Sequence, residues 1–244
     1  MRCKLISCEV LFREMCDACA HSPHQVDPEF LPKGLHDLGG KSMAAKVQEA
    51  VDRTPEGVYQ AILLGYGLCG NGLDGVTARH TRLVLPRAHD CIALLMGSRD
   101  RYADYFQNNS GTFYRSTGWL ERGKGLQQLT HNTFGIDESL EAMIRKYGED
   151  DGRYLYEEMT RYRSHYSKLT FIETGLEAGG KFIDDAAAEA AENHWNFERL
   201  PGDLAWLRRL VDGEWTDNEF LVAEPGQSFA ASYDTAVMKV RSQP

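Results

Sequence analysis

The chain has 244 residues with 42% apolar and 26% charged positions, an ordinary globular composition that excludes a disordered, collagenous or coiled-coil chain. Twenty-seven Lys and Arg against 36 Asp and Glu leave a formal charge of −9, which argues against a nucleic-acid or anionic-membrane surface. No apolar run is long enough to span a bilayer. The opening MRCKLISCEVLF is interrupted by charge and followed by no small-residue cleavage site, so it is not read as a signal peptide, and a cytoplasmic location is expected.

In chain order, Lys4–Cys8 predicts a buried strand and Glu9–Ala20 a helix with Val10, Leu11 and Met15 on one face. The prolines at 23, 28 and 32 make His21–Leu38 a loop with room for one short strand. Ser42 is placed to cap a helix over Met43–Asp52. Tyr59–Tyr66 is the strongest buried strand; a glycine-rich loop, GLCGNGLDG, follows, and Arg82–Pro86 forms the next strand. Cys91–Phe106 reads as one helix and Gly111–Trp119 as a fifth strand of the same sheet.

Gly135–Ser167 predicts a polar helical connector, in which Tyr154, Tyr156, Tyr162 and Tyr166 suit packing better than base stacking. A second α/β set follows: strand Leu169–Thr174, helix Asp184–His194, strand Asn196–Leu200, helix Asp203–Val211 and strand Phe220–Ala223. The alternation predicts two Rossmann-like lobes with largely parallel sheets and a cleft at the strand carboxyl ends, with one doubly wound sheet as the alternative. The expected domains are 1–134, a connector over 135–167, and a smaller lobe over 168–244.

All six cysteines fall within the first 91 residues. Cys8 ends the first strand, Cys69 lies just past the third, and His89 and Cys91 follow the fourth, so an open parallel sheet brings them to one edge. Three thiols and an imidazole are a ligand set for Zn²⁺, with an iron–sulfur cluster as the alternative. Two residues apart in an extended segment, His89 and Cys91 point the same way. The competing reading makes the thiols small core residues. In Arg87-Ala88-His89-Asp90-Cys91, Arg87 is a candidate to hold an anionic substrate. Asp90 is a candidate to orient His89, and also to cap the following helix.

Gly65-x-Gly67-x-x-Gly70 follows a strand, but the next strand begins too soon for the helix a dinucleotide site requires. Gly67, Gly70 and Asn71 are instead expected to let backbone approach a ligand. Cys16-x-x-Cys19 has no second pair at zinc-finger spacing, and incidental packing is preferred over a redox pair. His21, His24 and His36 leave auxiliary metal binding open.

The segments ISCEVL (6–11), ILLGYGLCGNGL (62–73), LPRAHDCIALLMGSRDRY (85–102) and GTFYRSTGW (111–119) resemble an uncharacterised domain-of-unknown-function family of bacteria and methanogenic archaea. That resemblance implies a setting near corrinoid-dependent methyltransfer systems, hence a small-molecule substrate and a corrinoid or methyltransferase protein as partner. The chain is not expected to be the corrinoid carrier: His36-x-x-Gly39 is present, but Gly34 stands where the carrier's D-x-H-x-x-G has its aspartate. Three functions follow as expectations. The first is a metal-thiolate enzyme or accessory factor in one-carbon or methyl transfer; the second is a metal-free cysteine hydrolase or transferase; the third is a non-catalytic two-lobe binding protein.

Overall fold

The computed structural model describes residues 1–122, 140–232 and 237–242. The main sheet has the order β2-β1-β3-β4-β8, built from β1 (Arg2–Cys8), β2 (Gln25–Leu31), β3 (Ala61–Gly65), β4 (Leu83–Pro86) and β8 (Phe220–Ala223). The first four are mutually parallel, and β8 runs antiparallel to β4 at the edge. Every residue of β3 is buried, as an unbroken apolar run predicts for a central parallel strand. From β1 the chain crosses through α1 (Phe12–His21) to β2 on one side, then through α2 (Gly40–Asp52) to β3 on the other. The winding therefore reverses at β1 and β3, and the crevice at such a switch point is where open α/β sheets bind ligands.

A second, three-stranded parallel sheet has the order β5-β6-β7, from β5 (Thr112–Ser116), β6 (Lys168–Glu173) and β7 (Asn196–Pro201). One face of it packs on α8 (Lys181–Glu192) through a small core of Leu169, Phe171, Ala186 and Ala190. The other face contributes Ile172 to the main core. The mixed α/β architecture with largely parallel sheets is as the alternation predicts.

Strand membership differs from expectation in two places. β5 pairs with β6 rather than joining the first sheet, and β8 returns to pair with β4 rather than closing the second. α9 (Ala205–Val211), which precedes β8, buries Trp206, Leu207, Leu210 and Val211 in the main core. The apolar pattern marks a segment as a strand but does not name its neighbour; crossover geometry decides that.

Local differences have local causes. α2 begins at Gly40 after a left-handed Gly39 (φ 79°), so Ser42 lies inside the helix and caps nothing. The long helix expected over Cys91–Phe106 is two. α3 (Cys91–Met96) ends at Gly97 (φ 76°), and α4 (Arg99–Asn108) restarts with Ser98 Oγ accepting from the Arg101 N–H at 3.3 Å. A β9–β10 hairpin (Gln227–Ala231, Met238–Ser242) follows, and the Glu224–Gln227 segment is a plain turn closed by the Gln227 N–H on the Glu224 carbonyl. In the connector, α6 (Leu140–Tyr147) and α7 (Glu149–Thr160) are helical, while the expected start near Gly135 and Asp137 lies outside the described residues.

The two sheets meet through α5 (Thr117–Glu121), which continues β5. A Cβ on Gly118 would stand 1.7 Å from the Val10 carbonyl oxygen, so this approach requires glycine. Gly118→Ala is expected to cost about 3 kcal/mol or more, because neither backbone can yield without moving the sheet behind it. Urea unfolding should show a lower midpoint at unchanged slope.

Candidate functional site: a buried thiol cluster at the switch point

Cys8 closes β1 at 3% exposure, where the Val10 N–H favours the ionised form of its sulfur against burial. Cys69 follows β3 by four residues in a left-handed conformation (φ 47°), with Gly70 (φ 64°) and Asn71 (φ 68°) continuing the turn. A non-glycine residue there costs roughly 1–2 kcal/mol, and strain of this kind persists only where the surroundings impose it. They do so through close contact. A Cβ on Gly67 would lie 2.7 Å from the Asp90 nitrogen, and the Leu68 and Cys69 N–H groups donate to the carbonyls of Ala88 and His89 at 2.9 and 3.0 Å. Gly67 thus serves close approach, to the protein's own backbone, whereas a Cβ on Gly70 would meet open space and Gly70 and Asn71 shape the turn through their positive φ.

This lacing brings the Cys69 loop beside α3. The backbone N–H groups of Gly67 and of Cys91, the first residue of α3, favour the ionised form of the Cys69 sulfur. The Trp119 side chain of α5 acts in the same direction on the Cys91 thiol, on a residue 6% exposed. The three thiols lie close enough that ionising one raises the pKa of its neighbour: Cys91 acts on Cys8, Cys8 on Cys69, and Cys69 on Cys91. Burial dominates all three. It pushes Cys8 and Cys69 up to about 12 and Cys91 well above its ordinary value, so the thiols are protonated at neutral pH. The Tyr66 hydroxyl, from a residue 1% exposed, lies within reach of the charges of Cys8 and Cys69 and has no hydrogen-bond partner among the described residues.

The imidazole near the thiols is His36, not His89. β2 lies alongside β1 with Leu31 opposite Cys8, so the 3₁₀ turn Lys33–Leu38 emerges beside Cys8. His36 Nε2 stands 3.7 Å from Cys8 Sγ, with its ring centroid 6.1 Å from that of Trp119. His89 leaves 65% of its side chain exposed, pairs through Nδ1 with Asp90 Oδ2 at 3.2 Å, and stacks near Tyr102. Alternation places His89 and Cys91 together only while the chain stays extended. Asp90 is the last extended residue (φ −157°, ψ −178°), and the helix turn that begins at Cys91 separates the two side chains.

Asp90 caps α3, accepting from the Ala93 N–H at 3.1 Å, and its other oxygen also accepts from the Tyr102 hydroxyl at 2.9 Å. Arg87 faces a different task from anion capture. Its guanidinium donates to the carbonyls of Asp217 and Met238 at 2.7 and 3.0 Å, clamping the end of β4 to the β8 and β10 segments. Cys16 and Cys19 sit on α1 outside this cluster as free thiols. As the side chains stand, no group of three or more His, Cys, Asp or Glu among the described residues is arranged to hold a metal ion.

A family profile described as "Protein of unknown function (DUF1638)" matches residues 30–211, more than half of the chain. The chain belongs to this family. No curated protein and no solved structure matches it significantly. In this DUF1638 protein the matched span carries His36, Cys69, Cys91 and Trp119, whereas Cys8 precedes it on β1. No helix among its described residues is long and apolar enough to cross a membrane.

The His89–Asp90 pair gives the DUF1638 protein a pH signature. The hydrogen bond to Asp90 raises His89 above its ordinary 6.5. Asp90 is held below 3.8 against the desolvation that opposes it, by His89, the Ala93 N–H and Tyr102. The histidine's contribution is complete below 6.5 and fades as pH rises through its folded value; the aspartate's is complete above 3.8 and fades as pH falls through its own. The stability gap between wild type and His89→Ala is therefore expected to be widest between about pH 4.5 and 6 and to close in alkali, checked by urea unfolding across pH. Asp90→Ala, which also loses the cap, should cost about 1–2 kcal/mol more than His89→Ala at pH 8.

Proposed function

We propose that the cluster is a metal-thiolate centre, with Cys8, Cys69 and Cys91 as thiolate donors and His36, in place of His89, as the imidazole. In this reading it serves one-carbon or methyl transfer, as an enzyme or an accessory factor. The observation that carries this is the convergence of three thiols close enough to shift one another's ionisation, with His36 Nε2 3.7 Å from Cys8 Sγ. The N–H groups nearby favour the thiolate of each cysteine, the form that binds metal. The orphaned Tyr66 hydroxyl adds one more donor without an acceptor.

The donor types suit zinc, with an iron–sulfur cluster as the alternative; the side chains would have to draw inward from their present positions. Zinc would supply a charge that keeps a bound thiol ionised near neutral pH. The chain's own residues bind, exclude water and supply hydrogen bonds to sulfur. The methyl-transfer setting rests on the resemblance, as does a corrinoid or methyltransferase protein partner beside a small-molecule substrate. A second reading has one observation in its favour: Cys8 and His36, 3.7 Å apart, form a metal-free thiol–imidazole pair of the kind used in nucleophilic catalysis.

Elemental analysis of protein purified without oxygen tests the proposal. The expected result is about one zinc per chain, lost in Cys69→Ser and Cys91→Ser, weakened roughly 10–100-fold in affinity by His36→Ala, and unaffected by His89→Ala. Because metal must displace protons from thiols of raised pKa, affinity should strengthen steeply from about pH 6 to pH 8. Absence of metal in every sample, with Cys8 alkylation slowed by His36→Ala, would replace this reading with the metal-free pair.

A further inference from the structure

Where the two sheets meet, a cavity of about 330 Å³ opens on the far side of α5 from Cys91 in sequence, lined by Phe12, Arg13, Cys16, Glu121, Arg122 and Leu176. Its charges are not matched. Glu121 gives one oxygen each to Arg13 Nε and Nη2, at 2.8 and 2.7 Å, and Arg13 Nη1 donates to the Leu176 carbonyl at 3.3 Å. That bidentate pair occupies the one carboxylate among the described lining residues. Arg122 lies over the Phe12 ring, its guanidinium carbon 3.7 Å from the centroid, and makes only a long ion pair with Glu121, Nε to Oε2 at 4.0 Å. Its buried Nε has no hydrogen-bond partner among the described residues.

Two acids lie behind the lining, and both are turned to Thr174: Glu14 accepts its hydroxyl at 3.1 Å, and Glu177 accepts its N–H at 2.7 Å. Burial raises the Glu14 pKa, which favours its neutral form. Among the described residues, the lining holds Arg13 and Arg122 against Glu121, in a chain whose formal charge is −9. A guanidinium stacked on a ring is held flat while its in-plane N–H fork stays free to meet two oxygens at once. Phe12 and Leu176 provide apolar walls.

We propose that this cavity is a binding site for a small oxyanion, a carboxylate or phosphate group on a short apolar body, with Arg122 as its principal contact. Its volume is at the lower end of ligand pockets, roughly 300–1,000 Å³, which restricts the occupant to a small metabolite. The site is independent of the thiol centre: none of its lining residues belongs to that cluster, and it stands or falls without metal.

Cys16 is a built-in reporter, being partly exposed and on the cavity wall. The test follows iodoacetamide labelling of Cys16 by peptide mass spectrometry, together with the melting temperature, in inorganic phosphate, in butyrate, and in chloride at equal ionic strength. One of the two oxyanions is expected to slow labelling saturably, by about tenfold near ten times its Kd, and to raise the melting temperature. Arg122→Gln should abolish both effects, and Arg122→Lys, which keeps the charge but loses the fork, should retain part of them. Protection by phosphate alone identifies a phosphate ligand, and by butyrate alone a carboxylate. Equal behaviour in all three salts, or protection that survives Arg122→Gln, would overturn the proposal.

Discussion

The parallel pairing of β1 with β2 on one side and β3 on the other is the constraint on which the rest of this molecule depends. Parallel neighbours need crossovers, and each crossover returns the chain so that all carboxyl ends share one edge. With β1 at the point where the winding reverses, Cys8, the Cys69 loop and the turn bearing His36 must emerge together. β4 extends the same edge and delivers Cys91 as the first residue of α3. Convergence of residues from four distant segments is thus a consequence of topology, and no local motif was needed to produce it.

The cluster is an energetic compromise between desolvation and hydrogen bonding. Burial alone drives all three thiols toward their neutral forms, and the N–H donors around them pull the other way without prevailing. In the proposed metal-thiolate reading, a bound cation would reverse the balance that the low dielectric sets. The left-handed conformations of Cys69 and Asn71 belong to the same design, since the strained turn holds one sulfur where the backbone of Gly67 and Cys91 can reach it.

α5 links the two proposed sites. It leaves the second sheet at the end of β5, passes against Val10 at Gly118, places Trp119 against Cys91, and ends where Arg122 lies over Phe12. The interval from Cys8 to Phe12 is equally short on the other side of that contact. One junction between the sheets therefore fixes both the thiol surroundings and the cavity wall, through the backbone approach at Gly118 and the Arg13–Glu121 ion pair.

Much of this was legible before folding. The unbroken apolar runs of β1, β3 and β4 read as buried parallel strands, and placing Cys8, Cys69 and Cys91 just past strand ends foretold their convergence. Asp90 was legible as a cap because capping is a local property of one residue and the N–H groups that follow it. His36 was not, since its nearness to Cys8 depends on β2 existing within a proline-rich segment and aligning its end with that of β1. His89 misled for the opposite reason, as its pairing with Cys91 assumed an extended chain that the helix start ends. Periodicity and composition by themselves determined the α/β class, the strands and the thiols, because these follow from each segment's own need to bury apolar surface. Only the tertiary structure decided which sheet β5 and β8 join, which histidine meets the sulfurs, and that Arg122 faces a cavity, because those depend on pairings between segments far apart in sequence, where local preference is silent.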